Sequence, residues 1–208
     1  MNMKTHTILT GFCLLLACGL SGCLNTDPVV DSRRHFVLNT GYTEPDERDA
    51  EGAFHQVGLK RIVLPGYLHD NRLTVRKTST ELIYLEQDRW AGRPDKVLAD
   101  FIASQLETKL ESATVQQAPW ARGSVDYELG IKFINCEVTI DGLAVVRAEW
   151  QCTGRAKPEN TLTGTRTVKK QGPKPLEATP EAISTLSQAI AELIESIAKT
   201  VQTCIEES

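Results

Sequence analysis

The chain has 208 residues with 23 basic and 27 acidic side chains, and this nearly even balance gives no basis for binding nucleic acid. Its length fits one domain with a sizeable core rather than two. After the N-terminal segment no apolar stretch is long enough to cross a membrane, because Glu192, Glu195 and Lys199 interrupt the C-terminal one.

The N-terminal segment, residues 1–22, has the pattern of a cleaved export signal. Lys4 lies in a short polar start, and the apolar run 8–17 is too short to span a bilayer. The next residues, Leu20-Ser21-Gly22-Cys23, resemble the lipobox of bacterial lipoproteins. This resemblance implies cleavage between Gly22 and Cys23 and lipidation of Cys23, and several acyl chains anchor a protein stably. The alternative is an ordinary secretory signal with Cys23 as a structural cysteine.

Residues 23–33 predict a lipidated tether, because a proline, an asparagine and charges occur there without a sustained period. In Gram-negative lipoproteins an acidic residue directly after the lipidated cysteine commonly retains the protein in the inner membrane. Leu24 stands at that position, which favours the outer membrane, with the protein facing the periplasm. We expect the folded domain to occupy residues 34–208.

The first half of this domain predicts short strands followed by a helix. Residues 41–52 carry too many charges to pack and predict a polar loop. Pro65-Gly66 marks the end of the predicted strand 54–64. Alternating apolar residues predict strands at 35–39, 54–64, 73–77 and 81–88, the last two forming a hairpin. A helix opens at Pro94-Asp95, and its apolar stripe comprises Val97, Leu98, Phe101, Ile102, Leu106 and Leu110.

Residues 127–140 and 144–154 predict a long hairpin. A three-residue loop at 141–143 would pair Cys136 with Ala148, whereas a two-residue Asp-Gly turn would oppose Cys136 to Arg147 on the buried face. The apolar pattern therefore favours the three-residue loop. Apolar residues change from odd to even positions at Ile134, which predicts a β-bulge.

A strand at 161–169 and a long helix complete the domain. Thr179 is the expected N-cap and Pro180 the first helical residue. The helix carries one apolar stripe: Ile183, Leu186, Ile190, Leu193, Ile194, Ile197 and Val201. We predict an α+β fold, a single antiparallel or mixed β-sheet covered on one side by two amphipathic helices.

Three cysteines remain in the mature domain, in a compartment that permits disulfides. In the predicted hairpin register Cys136 and Cys152 lie on the order of 13 Å apart, which is beyond disulfide reach. Cys204 would reach one of them if the last helix covers that sheet face. The alternative is three buried, reduced thiols.

One stretch carries a family resemblance. The residues concerned are Pro65, Tyr67-Leu68, Asp70, Val75-Arg76 and Arg89-Trp90. With the lipobox and the C-terminal amphipathic helix, this ordered pattern resembles the PqiC (YmbA-like) family of ABC-type transport auxiliary lipoproteins. The resemblance extends over roughly residues 34–205.

The resemblance implies a non-catalytic accessory subunit of an intermembrane lipid transport system. Such systems contain an ABC permease, its ATPase and membrane-bound MCE proteins. The implied role is to hold the periplasmic end of an MCE protein at the outer membrane as a homo-oligomer, so that phospholipid crosses between the membranes. No cofactor is implied. The candidate partner contacts are Pro65, Tyr67, Leu68, Arg76, Arg89 and Trp90.

Each of these residues also has a structural interpretation. Pro65, Tyr67 and Leu68 are typical of a strand end that closes a core. Arginines such as Arg76 and Arg89 usually lie on a solvated face, and Trp90 suits the seal between helix and sheet.

The sequence contains no motif that indicates an enzymatic function, because no nucleophile elbow, zinc motif, phosphate loop or CxxC pair occurs. His69-Asp70 is the one suggestive catalytic pair, and no metal site is expected. The rival function is a structural or assembly lipoprotein that binds an outer-membrane protein or lipopolysaccharide. A soluble lipid carrier is a third alternative and requires a deep apolar cavity.

Overall fold

A computed structural model describes residues 31–39, 55–110 and 112–207. The predicted signal peptide, Cys23, most of the tether and the polar loop 41–52 lie outside the described residues. The described residues from Arg33 onward form one compact unit.

In this unit the described residues form eight strands, two α-helices and one 3-10 turn, Gly66–Leu68. Apolar residues recur at strand spacing in most of the strands and at helical spacing in both helices. In chain order the elements are β1 (Arg34–Phe36), β2 (His55–Leu59), β3 (Arg72–Arg76), β4 (Leu82–Trp90), α1 (Pro94–Lys109), β5 (Ala113–Gln117), β6 (Tyr127–Thr139), β7 (Leu143–Gly154), β8 (Thr161–Gln171) and α2 (Thr179–Glu206).

Strand β6 organises the sheet. It pairs along its length with β7, which pairs with β8, and both pairings are antiparallel. Its other edge is shared by two parallel neighbours, with β2 opposite Tyr127 and β3 opposite Val138. Strand β5 extends the β2 end, while β4 and then β1 extend the β3 end. The sheet is therefore mixed, which confirms the broader form of the predicted architecture.

The core lies between the sheet and α2. This helix packs against β6, β7 and β8, while α1 packs against β5 and α2. Both helices contribute to one core cluster, so the α+β prediction is confirmed. Burying each Leu or Ile side chain contributes roughly 1.5–3 kcal/mol. The largest fully buried side chains of α2 are Ile190, Leu193, Ile194 and Ile197.

The predicted register of the β6–β7 hairpin is wrong by two residues near its turn. Cys136 pairs with Val146, and Val138 pairs with Ala144. The loop has three residues as expected, but it starts one residue earlier and ends at Gly142, whose φ is +87°. A three-residue hairpin loop places its left-handed residue last, and glycine fits that position without strain. The predicted bulge is confirmed, because the register shifts between Phe133 and Asn135.

Four further predictions need correction at element boundaries. Strand β1 spans Arg34–Phe36 rather than 35–39, and β2 ends at Leu59, after which only Val63 rejoins β6 as an isolated bridge. Strand β5 was not predicted, because its polar residues give no apolar alternation and its pairing with β2 is long-range. Helix α2 begins at Thr179, so Ala178 takes the N-cap position. Neither helix of the described residues is long and apolar enough to cross a membrane.

Candidate docking site

The sheet has one face toward the helices and one face away from them, here called the outer face. Along β3, Leu73 and Val75 are buried on the helix side, while Arg72 and Arg76 alternate with them and are partly exposed. Residues 65–70 lead from the Val63 bridge through the 3-10 turn into β3. Most of the candidate partner contacts belong to this part of the molecule.

Arg76 and Glu137 form the centre of the outer-face cluster, which we define as Tyr67, Arg72, Arg76, Tyr84 and Glu137. The Arg76 guanidinium holds both carboxylate oxygens of Glu137, with Nη2 to Oε2 at 3.1 Å and Nε donating to Oε1. Glu137 is only 2% exposed, whereas Arg76 is 24% exposed. These two hydrogen bonds form one bidentate pair, which compensates the charge of the buried carboxylate. An unpaired charge at this depth would be costly.

Tyr67 closes this pair from the side of the loop. The Arg76 guanidinium carbon lies 5.6 Å from the centre of the Tyr67 ring, a cation–π contact. Burial raises the pKa of Tyr67 well above its ordinary value, and the negative charge of Glu137 acts in the same direction. Tyr67 therefore stays a neutral phenol at physiological pH.

A second cation–π contact extends the cluster toward β4. The Arg72 guanidinium carbon lies 4.7 Å from the centre of the Tyr84 ring, and the Tyr84 hydroxyl donates to the backbone oxygen of Tyr67 at 3.2 Å. Arg72 also bonds both carboxylate oxygens of Asp70, with Nη2 to Oδ2 at 2.7 Å, and reaches Glu86 at 3.1 Å. The loop 65–70 is thereby fixed to both strands of the β3–β4 hairpin.

Arg72 holds the pKa of Asp70 at about 2, mainly through hydrogen bonds from its side chain and then through one from its backbone N–H. The Asp70 carboxylate of the suggested His69-Asp70 pair thus binds Arg72 and holds the loop. Within the described residues no group of three His, Cys, Asp or Glu side chains is placed to hold a metal ion.

Replacing Arg72 by glutamine is expected to raise the pKa of Asp70 from about 2 toward its unperturbed value near 3.9. In the native protein the depressed pKa stabilises the fold above pH ~3.9, and this contribution is lost as pH falls through about 2. The measurement is an NMR titration of the Asp70 carboxyl in both proteins. An unchanged Asp70 pKa in the Arg72→Gln variant would show that Arg72 does not hold this carboxylate.

Arg89 and Trp90 lie at the far end of β4. Arg89 is opposite Arg72 in the register, and its guanidinium donates to the backbone oxygen of Glu86 at 3.2 Å. The Trp90 side chain faces the other way and, with Leu68, lines an apolar cavity of about 20 Å³. This cavity holds at most about one water molecule and is far too small for an acyl chain.

The structure therefore divides the six candidate contacts into two groups. Tyr67, Arg76 and Arg89 lie on or beside the outer face, whereas Leu68 is buried and Trp90 packs on the core, as their structural interpretation holds. Pro65 is half-buried at the start of the 3-10 turn and accepts a hydrogen bond from the Leu68 N–H at 2.9 Å.

Sequence reasoning missed three members of the cluster, namely Glu137, Arg72 and Tyr84. Glu137 carried a usable signal, because a carboxylate between Cys136 and Val138 in an apolar hairpin needs a cationic partner. Arg72 and Tyr84 carried none, since charged and aromatic residues are ordinary on an exposed strand face.

A loop tryptophan and two basic residues elsewhere in the domain have structural partners. The Trp120 ring covers Gly58 of β2, where a Cβ atom would lie 2.8 Å from its Cζ2, so this tryptophan packs on the face of that strand. Among the basic residues near the C terminus, Arg166 and Lys170 both bind Glu192, at 2.7 and 3.2 Å. These two cations thus share one carboxylate within the domain.

The sequence matches the family model described as ABC-type transport auxiliary lipoprotein component over residues 36–198. The chain belongs to this family. The match spans well over half of the chain, includes every residue of the outer-face cluster, and confirms the resemblance to the PqiC (YmbA-like) family. As a member of a family of auxiliary transport lipoproteins, the chain is grouped with membrane-anchored periplasmic components, and this grouping indicates a non-catalytic role.

Solved structures similar to this auxiliary lipoprotein share its fold. A structure described as an uncharacterized protein has a TM-score of 0.63 and 18% identity, covering 71% of this chain and 92% of that chain. A DUF330 protein from Xanthomonas campestris has a TM-score of 0.60 and 17% identity, covering 73% and 88%. At such identities the similarity shows the fold alone. No curated protein matches the sequence.

Proposed function

We propose that the chain is an outer-membrane lipoprotein and a non-catalytic accessory subunit of an intermembrane phospholipid transport system of the MCE and ABC type. It docks the periplasmic end of an MCE protein at the outer membrane, works as a homo-oligomer and supports envelope integrity. The family match over residues 36–198 is the observation that carries this proposal.

The lipid anchor predicted from the sequence would hold the domain between two membranes. A lipid on Cys23 attaches the chain to one membrane, and the domain then meets a partner that arrives from the other. Leu24 directly after the cysteine favours the outer membrane over the inner one. In this proposal the domain serves as a docking platform, and the apolar cavity beside Leu68 and Trp90 is too small to hold an acyl chain.

The outer face around the β3–β4 hairpin is the proposed docking surface. Tyr67, Tyr84 and Arg89 are partly exposed there, and aromatic and arginine side chains are enriched at protein interfaces. The Arg76–Glu137 pair and the Asp70–Arg72 pair hold this surface rigid before binding. A rigid surface loses less conformational entropy on association.

Replacing Cys23 by serine is expected to release the protein from the membrane, because the substitution removes the proposed lipid anchor. The measurement is fractionation of cells that express the full-length protein or its Cys23→Ser variant, with immunodetection in outer-membrane, inner-membrane and soluble fractions. Native protein in the inner membrane would contradict the outer-membrane assignment. A variant that stays membrane-bound would contradict lipidation at this cysteine.

Replacing Arg89 by glutamate is expected to weaken partner binding about fivefold to thirtyfold, since losing one contact arginine costs about 1–2 kcal/mol. The full-length tagged protein is extracted in detergent, and copurifying proteins are identified by mass spectrometry. Lys199→Glu is the matched control, because Lys199 is exposed on α2, away from the outer face. An MCE protein recovered with native and control proteins supports the proposal, whereas a barrel protein in its place would support envelope assembly.

A further inference from the structure

The contacts that join β7 and β8 to α2 recur at a regular spacing along the strands and along the helix. Arg166, the β8 neighbour of Ala148, donates to Ser196 at 2.5 Å. One step further on, Trp150 Nε1 donates to the Thr200 hydroxyl at 2.9 Å. Each step advances two residues along the strand and four along the helix.

These two advances have nearly the same length. Two strand residues span about 6.7 Å and four helical residues about 6.0 Å. The next step after Trp150 and Thr200 therefore brings Cys152 opposite Cys204. Both cysteines are buried, at 0% and 2% exposure, on facing sides of the core.

The two cysteines are free thiols in the structure, and their side chains interact with one another. Burial raises the pKa of Cys152 strongly, and a side-chain hydrogen bond with Cys204 raises it further. Cys136 does not belong to this pair, because its β7 partner is Val146, six residues or about 20 Å before Cys152 along the strand. It lies instead beside the small cavity that Leu68 and Trp90 line.

We propose that Cys152 and Cys204 form a disulfide in the exported protein, which joins the last turns of α2 to β7. The inference rests on the periplasmic location of this lipoprotein family and not on the identity of its transport partner. The oxidant is the disulfide of a thiol–disulfide oxidoreductase, which meets the chain before the core closes.

The exchange is balanced in two steps. One cysteine thiolate attacks the oxidant's disulfide, forms a mixed disulfide and releases one oxidant thiolate. The second cysteine thiolate then attacks the mixed disulfide, forms the Cys152–Cys204 bond and expels the other oxidant thiolate. The two protein thiols lose two electrons and two protons, and the oxidant becomes a dithiol.

The test is peptide mapping of the full-length protein exported to its native compartment. The protein is denatured without reductant in the presence of an alkylating reagent and then digested for mass spectrometry. We expect a Cys152–Cys204 linked peptide with Cys136 alkylated, and reduction before alkylation should label all three. Labelling of Cys152 and Cys204 without reduction would overturn the proposal, as would a link that involves Cys136.

Two variants keep the test specific. Cys136→Ala should retain the linked peptide, whereas Cys204→Ala should leave Cys152 alkylated without reduction. Reductant should lower the melting temperature of the native protein and of Cys136→Ala, because the bond restricts the unfolded chain. It should not change that of Cys204→Ala. Partner recovery is unaffected by these outcomes, so failure here is distinguishable from failure of the proposed function.

Discussion

Replacing Arg76 by leucine is expected to lower the free energy of unfolding by about 3 kcal/mol, the lower end of the cost of breaking a buried ion pair. Glu137 is 2% exposed, and its carboxylate would lose both guanidinium bonds while Asn135 remains its neighbour at 3.3 Å. Water cannot replace the lost bonds at that depth. The measurement is equilibrium urea unfolding of the native and variant domains.

The double variant Arg76→Leu with Glu137→Leu is the matched control. The double variant also removes the Glu137 carboxylate, which the single variant leaves buried without a cation. Most of the lost stability should therefore return. If the double variant is as unstable as the single one, the loss comes from packing around Tyr67 and not from an unpaired carboxylate. A single variant with native stability would contradict the role assigned to this pair.

Replacing Gly142 by alanine is expected to lower the free energy of unfolding by about 3 kcal/mol, through two effects. Its φ of +87° disfavours any residue with a Cβ by about 1–2 kcal/mol. The added Cβ would also lie 2.4 Å from the Gly172 carbonyl oxygen and 2.6 Å from that of Pro173, and such overpacking costs about 1–3 kcal/mol. The measurement is again denaturant unfolding, with the midpoint and slope compared.

Gly66→Ala supplies the control for this change. A Cβ at Gly66 would meet no atom within 4 Å, and Gly66 starts the 3-10 turn at a residue that does not need positive φ. We therefore expect a change within about 0.5 kcal/mol, typical of an unconstrained surface site. If Gly142→Ala changed the free energy of unfolding as little as Gly66→Ala, the β6–β7 turn would not depend on glycine at position 142.

The hairpin shows how far apolar patterning predicts structure. The alternation of apolar and polar residues predicted both strands, the length of their loop and the bulge at Ile134. It did not predict the register, because a shift of two residues keeps every side chain on the same face. Gly142 decided between the two registers, since its backbone alone fits the last loop position next to Gly172.

The outer-face cluster shows a second limit. Family resemblance singled out Tyr67, Arg76 and Arg89 along the chain, but Glu137 lies 61 residues after Arg76. Its role depends on the parallel pairing of β3 with β6, which local sequence does not encode. The same holds for Cys204, whose partner became evident only when α2 was placed against β7.

By itself, the sequence determined the fold class, both helices, most strands and the family. Helical and strand periodicities are local properties, and the family pattern is an ordered set of residues along the chain. Only the tertiary structure decided the register, the Arg76–Glu137 pair and the contact of Cys152 with Cys204. These depend on long-range pairing, in which burial and charge compensation act together across strands that are distant in sequence.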